Sequence, residues 1–193
     1  MAGRKQFDVD DALDRAMTAF WKHGYADTSL DVLVSATGLG RGSLYGTFGG
    51  KDALFQLCVR RYAERYGTRY AAAGDLGSFL QVTLDRIADP AVPDGCLVAQ
   101  SAALMPALTP DSATLIRSTL DNQRRLIRAL VGRDDLAVYV LAVVQSLGVL
   151  SRAGVPMDEL RTVARLAQDT VSGCRTGAPA APSAAPATPT AGT

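Results

Sequence analysis

The chain has few of the residues from which metal centres, disulfide frameworks and most catalytic sites are built. Its 193 residues include three cysteines and a single histidine. Cys58, Cys96 and Cys174 are odd in number and far apart, which fits neither a secreted disulfide scaffold nor the paired cysteine ligands of zinc. His23 alone cannot form a site with several imidazole ligands. The composition therefore predicts a cytoplasmic protein with no metal site and no cofactor.

The chain also lacks a large net charge, an export signal and a long apolar run. Its 20 Lys and Arg residues nearly balance 19 Asp and Glu, so any contact with nucleic acid has to come from a local basic patch. The N-terminus has no apolar stretch of the kind found in signal peptides. The most apolar run, 136–150, is too short for a bilayer and is interrupted by Gln145 and Ser146, so a buried helix and no membrane contact are expected.

Strand signals are scarce, whereas apolar residues recur at spacings of three and four through almost all of the first 172 residues. This periodicity predicts an all-α fold. Proline and glycine separate the helical segments. Residues 174–193 are rich in Ala and Pro and are predicted to form a disordered tail. The predicted helices are 9–24, 28–37, 41–48, 51–73, 78–88, 96–105, 112–131, 136–153 and 157–172.

Two of the predicted helices are unusually short. Thr28 and Asp31 match the capping-box pattern that starts the first of them. In the second, 41–48, Leu44 and Phe48 share one face because they are four residues apart. Two short helices joined by a tight glycine turn, with a longer helix in front, form a helix-turn-helix, which presents its second helix to the major groove of DNA.

The outer face of that second helix supplies the candidate contacts to DNA bases and phosphates. These are Arg41, Ser43, Tyr45 and Thr47. Helix N-termini and nearby cations bind phosphate and fix the register of a protein on DNA rather than select a sequence. Candidate phosphate contacts of this kind are Arg4, Lys5, Thr28, Lys51, Arg60 and Arg61. Arg65 and Arg69, on the same long helix, are predicted to form a solvated face.

Residues 20–55, FWKHGYADTSLDVLVSATGLGRGSLYGTFGGKDALF, resemble the DNA-binding domain of the TetR/AcrR family of bacterial transcription regulators. Two glycines depart from the family pattern. Gly40 replaces the usual capping Ser or Thr, and Gly46 replaces a larger residue that commonly faces DNA. The resemblance implies that DNA is contacted by Thr28, Arg41, Gly42, Ser43, Tyr45, Gly46, Thr47 and Lys51.

The resemblance also implies a homodimer, with the eighth and ninth helices in a four-helix interface, and a C-terminal pocket whose ligand releases DNA. Ser146 and Gly148 are small residues that are expected to permit close approach in the dimer. The predicted organisation is an N-terminal three-helix helix-turn-helix DNA-binding domain, 1–50, followed by a C-terminal helical ligand-binding and dimerisation domain, 51–173, which begins with a connecting helix. Candidate pocket residues, which mix apolar and polar side chains, are Phe79, Gln100, Leu104, Met105, Leu108, Asn122, Gln123 and Tyr139.

These observations predict a homodimeric repressor that a small-molecule effector releases from a palindromic operator in double-stranded DNA. The alternatives are a DNA-binding regulator without an effector and a small helical enzyme that acts on an apolar substrate. An enzyme is disfavoured because no Ser or Cys can be paired convincingly with the single His, and the GGKD segment lacks the spacing of a phosphate-binding loop. Cys96 is predicted to be a small buried residue, with a redox sensor as the alternative.

Overall fold

The computed structural model describes residues 8–176, which form nine α-helices and one 3₁₀ turn, Met105–Ala107, without a strand. The predicted all-α fold is confirmed. Arg4, Lys5 and the tail from residue 177 onward lie outside the described residues. The helices are α1 (Val9–Asp27), α2 (Leu30–Thr37), α3 (Arg41–Phe48), α4 (Lys51–Ala71), α5 (Leu76–Ala88), α6 (Leu97–Ala103), α7 (Pro110–Val131), α8 (Asp134–Arg152) and α9 (Met157–Thr176).

Several helix bounds differ from the sequence-based expectation by one or two residues, and three further differences concern α1, α6 and α9. Helix α1 does not end at Gly24 but is broken there, because Gly24 has a φ of 79°, and helical structure resumes as far as Asp27. The predicted helix 96–105 divides into α6 and the 3₁₀ turn, since Pro106 lacks the amide hydrogen that would continue the α-helix. Helix α9 continues to Thr176, past the predicted start of the tail.

Helices α1 and α3 pack on α4, and α2 packs on α1 and α3. Leu33 of α2 and Leu44 of α3 are fully buried. The Phe20 ring of α1 meets the Phe55 ring of α4 edge to face at 5.1 Å between centroids, and the Tyr25 ring lies 4.9 Å from the same Phe55. A small aromatic core therefore joins α1 to α4 at the end of the molecule that carries α2 and α3.

Helices α5, α6 and α7 pack on α4, and α8 and α9 pack on this second group of helices. The inner side of α8 packs against α5, α6, α7 and α9. Its outer side exposes Val138, Tyr139 and Val149. The 19-residue helix is long and apolar enough to cross a membrane by length and composition alone, so the expectation that this segment is too short was wrong. A core helix of a folded domain passes the same test, and α8 packs its inner side against four neighbouring helices.

Gly148 lies on that inner side and does not serve the predicted role in a dimer. A Cβ added at this position would come within 2.8 Å of the Cβ of Cys96. The glycine therefore allows α8 to approach the N-terminus of α6 within one protomer. Ser146 is half-buried.

Candidate nucleic-acid interface

Helix α3 is held to the protein by few side chains. It is eight residues long, and the N-cap residue Gly40 supplies no side-chain cap, as the sequence predicted. Leu44 is fully buried and Phe48 is 6% exposed, and together they form the inner face. At the C-terminus Gly49 adopts a φ of 79°, and its amide donates a hydrogen bond to the Tyr45 carbonyl. Only glycine adopts this left-handed conformation without strain, so the turn into α4 is tight.

All other positions of α3 are exposed and form one continuous surface, which we call the α3 outer face. An added Cβ at Gly42 or Gly46 would meet no atom within 4 Å, so this surface is open to a partner that approaches the backbone. Tyr45 is 51% exposed, unusually much for a tyrosine in a folded protein. The structure thus brings together six of the predicted DNA contacts: Arg41, Gly42, Ser43, Tyr45, Gly46 and Thr47.

Arg41 already has a partner at the edge of the α3 outer face. Its guanidinium lies 2.5 Å from an Asp31 carboxylate oxygen of α2, and both side chains are more than half exposed. Solvent screens such a pair, so its net contribution to stability is small. DNA phosphate can therefore compete with Asp31 for this arginine.

The structure corrects the role assigned to Thr28. Its side chain is fully buried, and its hydroxyl donates a hydrogen bond of 2.5 Å to the Gly24 carbonyl. The N-cap of α2 is instead Ser29, whose hydroxyl accepts from the Val32 amide. Thr28 satisfies a carbonyl freed by the break in α1, so a DNA contact through its side chain is not supported.

Lys51 lies at the start of α4, next to α3, but its ammonium already interacts with residues at the end of α1. The Nζ atom lies 4.5 Å from the centre of the Tyr25 ring and donates to the Ala26 carbonyl at 3.4 Å. Partial burial lowers the pKa of this ammonium. The lysine thus anchors the start of α4 to the end of α1, beside the α3 outer face.

Two of the four arginines of α4, Arg61 and Arg65, join it to α1. Arg61 contacts Asp14 at 3.1 Å and Asp10 at 3.1 Å, and Arg65 contacts the same Asp14 at 2.8 Å. The candidate phosphate contact at Arg61 is therefore corrected to an internal brace, and Arg65 is paired rather than simply solvated. Arg60 is exposed and forms no ion pair within residues 8–176.

A second feature is a partly open cavity of about 160 Å³ lined by residues of α4 to α8. One wall consists of three tyrosines of α4, and Arg86 of α5 is 2% exposed. Cys96 is buried at the N-terminus of α6, as predicted, with its sulfur 3.3 Å from the Tyr62 hydroxyl. The full lining is Tyr62, Ala63, Tyr66, Gly67, Tyr70, Arg86, Cys96, Val98, Thr119, Asn122, Gln123, Leu126 and Val144.

Only Asn122 and Gln123 of the eight predicted pocket residues line this cavity. Phe79 is sealed in the core, 4.6 Å from the Tyr70 ring, and Tyr139 points outward from α8. Gln100 and Leu104 line a separate depression of about 290 Å³ between α1, α6 and α8. Met105 begins the 3₁₀ turn, and Leu108 directly follows it. Four of the eight predicted residues thus border neither depression, because helical periodicity does not say which buried side chains border a void; ligand binding by the other four stays a prediction.

The sequence carried signals for the missed cavity residues. Tyr62, Tyr66 and Tyr70 recur every four residues and so lie on one side of α4. Arg86 is a charge on the otherwise apolar inner face of α5, beside Thr83. A lone charge on an apolar face is a reason to expect a polar feature inside the fold.

Trp21 of α1 packs against side chains that line this cavity. Its ring lies 5.0 Å from the Tyr62 ring and 6.2 Å from the Tyr66 ring, and the Arg86 guanidinium lies 5.8 Å from it. The Trp21 carbonyl also accepts from Arg152 at the end of α8. Residues that line the cavity therefore contact the helix on which the helix-turn-helix is built.

Asp52, the second residue of α4, makes another connection between the two ends of the molecule. Its carboxylate accepts from the Ser112 hydroxyl at 2.7 Å and the Thr109 hydroxyl at 2.8 Å, both at the start of α7. It also accepts from Gln56 at 2.9 Å and from the Tyr25 hydroxyl at 3.4 Å. Four donors thus converge on one carboxylate beside the α3 outer face.

Comparison with known proteins places this arrangement in a family. The family model described as bacterial regulatory proteins, tetR family, matches residues 12–58. The HTH-type transcriptional repressor Rv1474c of Mycobacterium tuberculosis is 31% identical over 165 residues, which cover 80% of this chain and 86% of that protein. The chain belongs to the TetR family.

Two further likenesses extend over most of this TetR-family chain. The HTH-type transcriptional repressor ComR of Escherichia coli is 26% identical over 182 residues, 83% of this chain and 87% of that one. A cysteine mutant of the TetR family transcriptional regulator CifR, solved with 26-base-pair double-strand operator DNA, superposes with a TM-score of 0.74 at 28% identity. That superposition covers 86% of this chain and 97% of the CifR chain. The predicted family, fold class and non-enzymatic role are confirmed: the protein is a DNA-binding transcriptional regulator.

Proposed function

We propose that this TetR-family regulator is a homodimeric repressor that a small-molecule effector releases from a palindromic operator. The observation that carries the DNA-binding part is the α3 outer face, where six side chains or glycines lie exposed around two buried anchors. Two relatives are named transcriptional repressors, and CifR was solved on operator DNA. In this proposal residues 1–50 bind DNA, 51–173 bind the effector and dimerise, and the protein acts in the cytoplasm without a cofactor.

On DNA, α3 of each protomer enters the major groove and uses the α3 outer face for contacts to bases. The Arg41 side chain leaves Asp31 and contacts a phosphate or a base edge. Tyr45 and Lys51 contact phosphates. Because a two-fold dimer binds two half-sites, their centres lie about 34 Å apart, one turn of the duplex, or a multiple of it. The operator is then palindromic because the protein is two-fold symmetric.

Dimerisation uses the apolar outer sides of α8 and α9. Val138, Tyr139 and Val149 of α8 are 39–56% exposed, and Leu166 of α9 is 57% exposed. Large apolar side chains that line two adjacent helices form a patch typical of an interface between subunits. Pairing two copies of this patch gives a four-helix interface.

The effector acts through the cavity, because three of its lining residues contact Trp21 of α1. Occupation of the cavity repositions α4 relative to α1 and so changes the distance between the two α3 helices of the dimer. An effector shifts this equilibrium only if it binds the released state more tightly than the DNA-bound state.

Selection of DNA from a random library by the purified full-length protein, followed by sequencing, tests the proposal. We expect enriched sequences with two inverted half-sites at a spacing of about 10 base pairs or a multiple, and a dimer by sedimentation. Enrichment of asymmetric sites, or of none, contradicts the palindromic operator. A screen that finds compounds which both stabilise the protein and weaken operator binding supports effector control; stabilisation without weaker binding favours a regulator that is not controlled by this cavity.

A further inference from the structure

Arg86 is a buried cation without an anionic partner in the protein. It is 2% exposed, one of its Nη atoms donates to the Gly95 carbonyl, and its Nε has no hydrogen-bond partner. Within residues 8–176 no Asp or Glu forms an ion pair with it. A buried charge that lacks both a counter-ion and a full set of hydrogen bonds is costly, so its presence calls for a physical reason.

The groups around Arg86 do not neutralise it. Burial raises the pKa of the Tyr62, Tyr66 and Tyr70 phenols, so all three are uncharged at neutral pH. Asp85, the neighbouring carboxylate of α5, is exposed and faces Arg69 at 3.6 Å. The rings of Trp21 and Tyr66 lie 5.8 and 5.9 Å from the guanidinium. Their cation–π attraction offsets only part of the cost of burying the charge.

The cavity beside Arg86 has the size and lining of a site for a small molecule. Its volume is about 160 Å³, close to that of a protein cavity of about 150 Å³ known to hold benzene. The lining combines tyrosine rings and aliphatic side chains with the amides of Asn122 and Gln123. Ligand sites typically pair an apolar wall with a few polar groups that fix orientation.

We propose that this cavity binds a small organic monocarboxylate, with the carboxylate on Arg86 and the apolar part of the molecule against the tyrosine wall. A carboxylate supplies the missing charge and accepts hydrogen bonds from a guanidinium. The idea that the bound acid also releases DNA depends on the function proposed above, whereas its binding does not. Since Arg86 contacts the Trp21 ring, the acid binds at a residue in direct contact with α1.

Calorimetric titration of the full-length protein tests this with two acids and their uncharged amides: benzoate with benzamide, and butanoate with butanamide. We expect at least one acid to bind at least tenfold more tightly than its amide. Arg86→Met should abolish that difference, and Arg86→Lys should retain part of it. Arg69→Met, which removes an exposed arginine one residue from Tyr70, should leave it unchanged. Chloride and inorganic phosphate serve as probes for a site that binds inorganic ions.

Four outcomes overturn the proposal: no acid binds, amides bind as tightly as acids, Arg86→Met keeps full acid affinity, or inorganic phosphate or chloride binds as tightly as the acids. Circular dichroism and melting of Arg86→Met check its fold, and replacement of an unpaired buried charge by an apolar residue should not lower the melting temperature. If that variant does not fold, the acid-to-amide ratio of wild type against Arg86→Lys decides.

Operator binding measured in parallel separates this inference from the proposed function. An acid that requires Arg86 but leaves the protein on its operator supports the carboxylate site and contradicts release through it. A neutral compound that releases the operator, in a protein that binds no acid, supports effector control and overturns the carboxylate site.

Discussion

Helices α3 and α4 are adjacent in the chain and differ in how they are held. The eight residues of α3 bury Leu44 and Phe48, while its remaining side chains stay exposed. The 21 residues of α4 bury seven side chains and contact α1, α5, α6 and α7. A helix held on one narrow side can offer its other sides to a duplex, whereas a helix packed on several sides connects the cavity to α1. In the function proposed above, α3 is the helix that contacts DNA and α4 is the helix that transmits the effect of a bound ligand.

The weak attachment of α3 follows from its sequence. It lacks a side-chain cap, and glycines at 42 and 46 each cost about 1 kcal/mol relative to alanine in a helix interior. Isolated helices of this length are not stable in water. Its order in the free protein therefore depends on its two buried anchors.

The strongest test of this contrast removes one anchor. Leu44→Ala should lower the free energy of unfolding by about 2–5 kcal/mol, because Leu44 is fully buried, and it should abolish operator binding. Its neighbour Tyr45 is half exposed, so Tyr45→Ala should change stability by about 0.5 kcal/mol or less and weaken only DNA binding. Urea unfolding and fluorescence anisotropy with labelled operator measure the two effects. Equal loss of stability in both variants would show that α3 is packed on more sides than the structure indicates.

A second test removes the carboxylate that joins α4 to α7. Asp52→Asn exchanges a charged acceptor of four hydrogen bonds for a neutral amide, so the free energy of unfolding should fall by about 1.5–3 kcal/mol. Asp111→Asn, an exposed carboxylate in the first turn of α7, is the control and should cost less than about 1 kcal/mol.

The same carboxylate gives the protein a dependence on acid pH. Burial favours the uncharged acid, but the hydrogen bonds from Ser112, Thr109, Gln56 and Tyr25 outweigh it and hold the pKa of Asp52 below its usual value. The stabilisation is therefore present above the unfolded-state pKa of about 3.9 and is lost as pH falls through the lower folded-state pKa. Urea titrations from pH 5 to 2 should show a steeper loss of stability for wild type than for Asp52→Asn. If the stability of the two proteins falls in parallel with pH, Asp52 is not the cause of the acid dependence.

The sequence was sufficient for the parts of the fold that local patterns determine. Helix α3 has the predicted bounds, because Gly40 and Gly49 flank it and Leu44 and Phe48 mark its inner face. The exposed α3 residues follow from the same four-residue spacing. Such features depend on residues that are close in the chain.

Features that depend on contacts between distant residues were missed. Thr28 was assigned as a cap and a DNA contact, but its hydroxyl donates a hydrogen bond to the carbonyl of Gly24, where α1 is broken. Arg61 was assigned to phosphate, but Asp10 and Asp14 lie across from it on α1. The cavity forms where five helices meet, and spacing along one helix does not indicate which neighbours leave a void.

A third test compares a phosphate contact with a base contact. Lys51→Ala should weaken binding to all DNA sequences similarly and reduce the slope of log affinity against log salt by about one unit. Ser43→Ala, on the α3 outer face, should act unequally across operator variants, with losses of up to about 3 kcal/mol at the affected base pair. Anisotropy titrations at several salt concentrations with a set of operator variants measure both. An unchanged slope in Lys51→Ala would mean that the Tyr25 ring and the Ala26 carbonyl retain this ammonium when DNA is bound.

The smallest effect concerns the pair at the edge of the α3 outer face. Asp31→Asn should leave stability within about 1 kcal/mol of wild type, because the pair with Arg41 is exposed. It should raise affinity for the operator by up to about fivefold, since Arg41 no longer has to leave a carboxylate to meet a phosphate. The gain should shrink in an Arg41→Gln background, and Asp11→Asn, which breaks the exposed pair with Arg15 on α1, controls for the loss of one negative charge. An equal gain from Asp11→Asn, or a gain that persists without Arg41, would mean that net charge alone favours DNA. A gain specific to the Asp31–Arg41 pair would instead show that α2 restrains the α3 outer face until the operator displaces it.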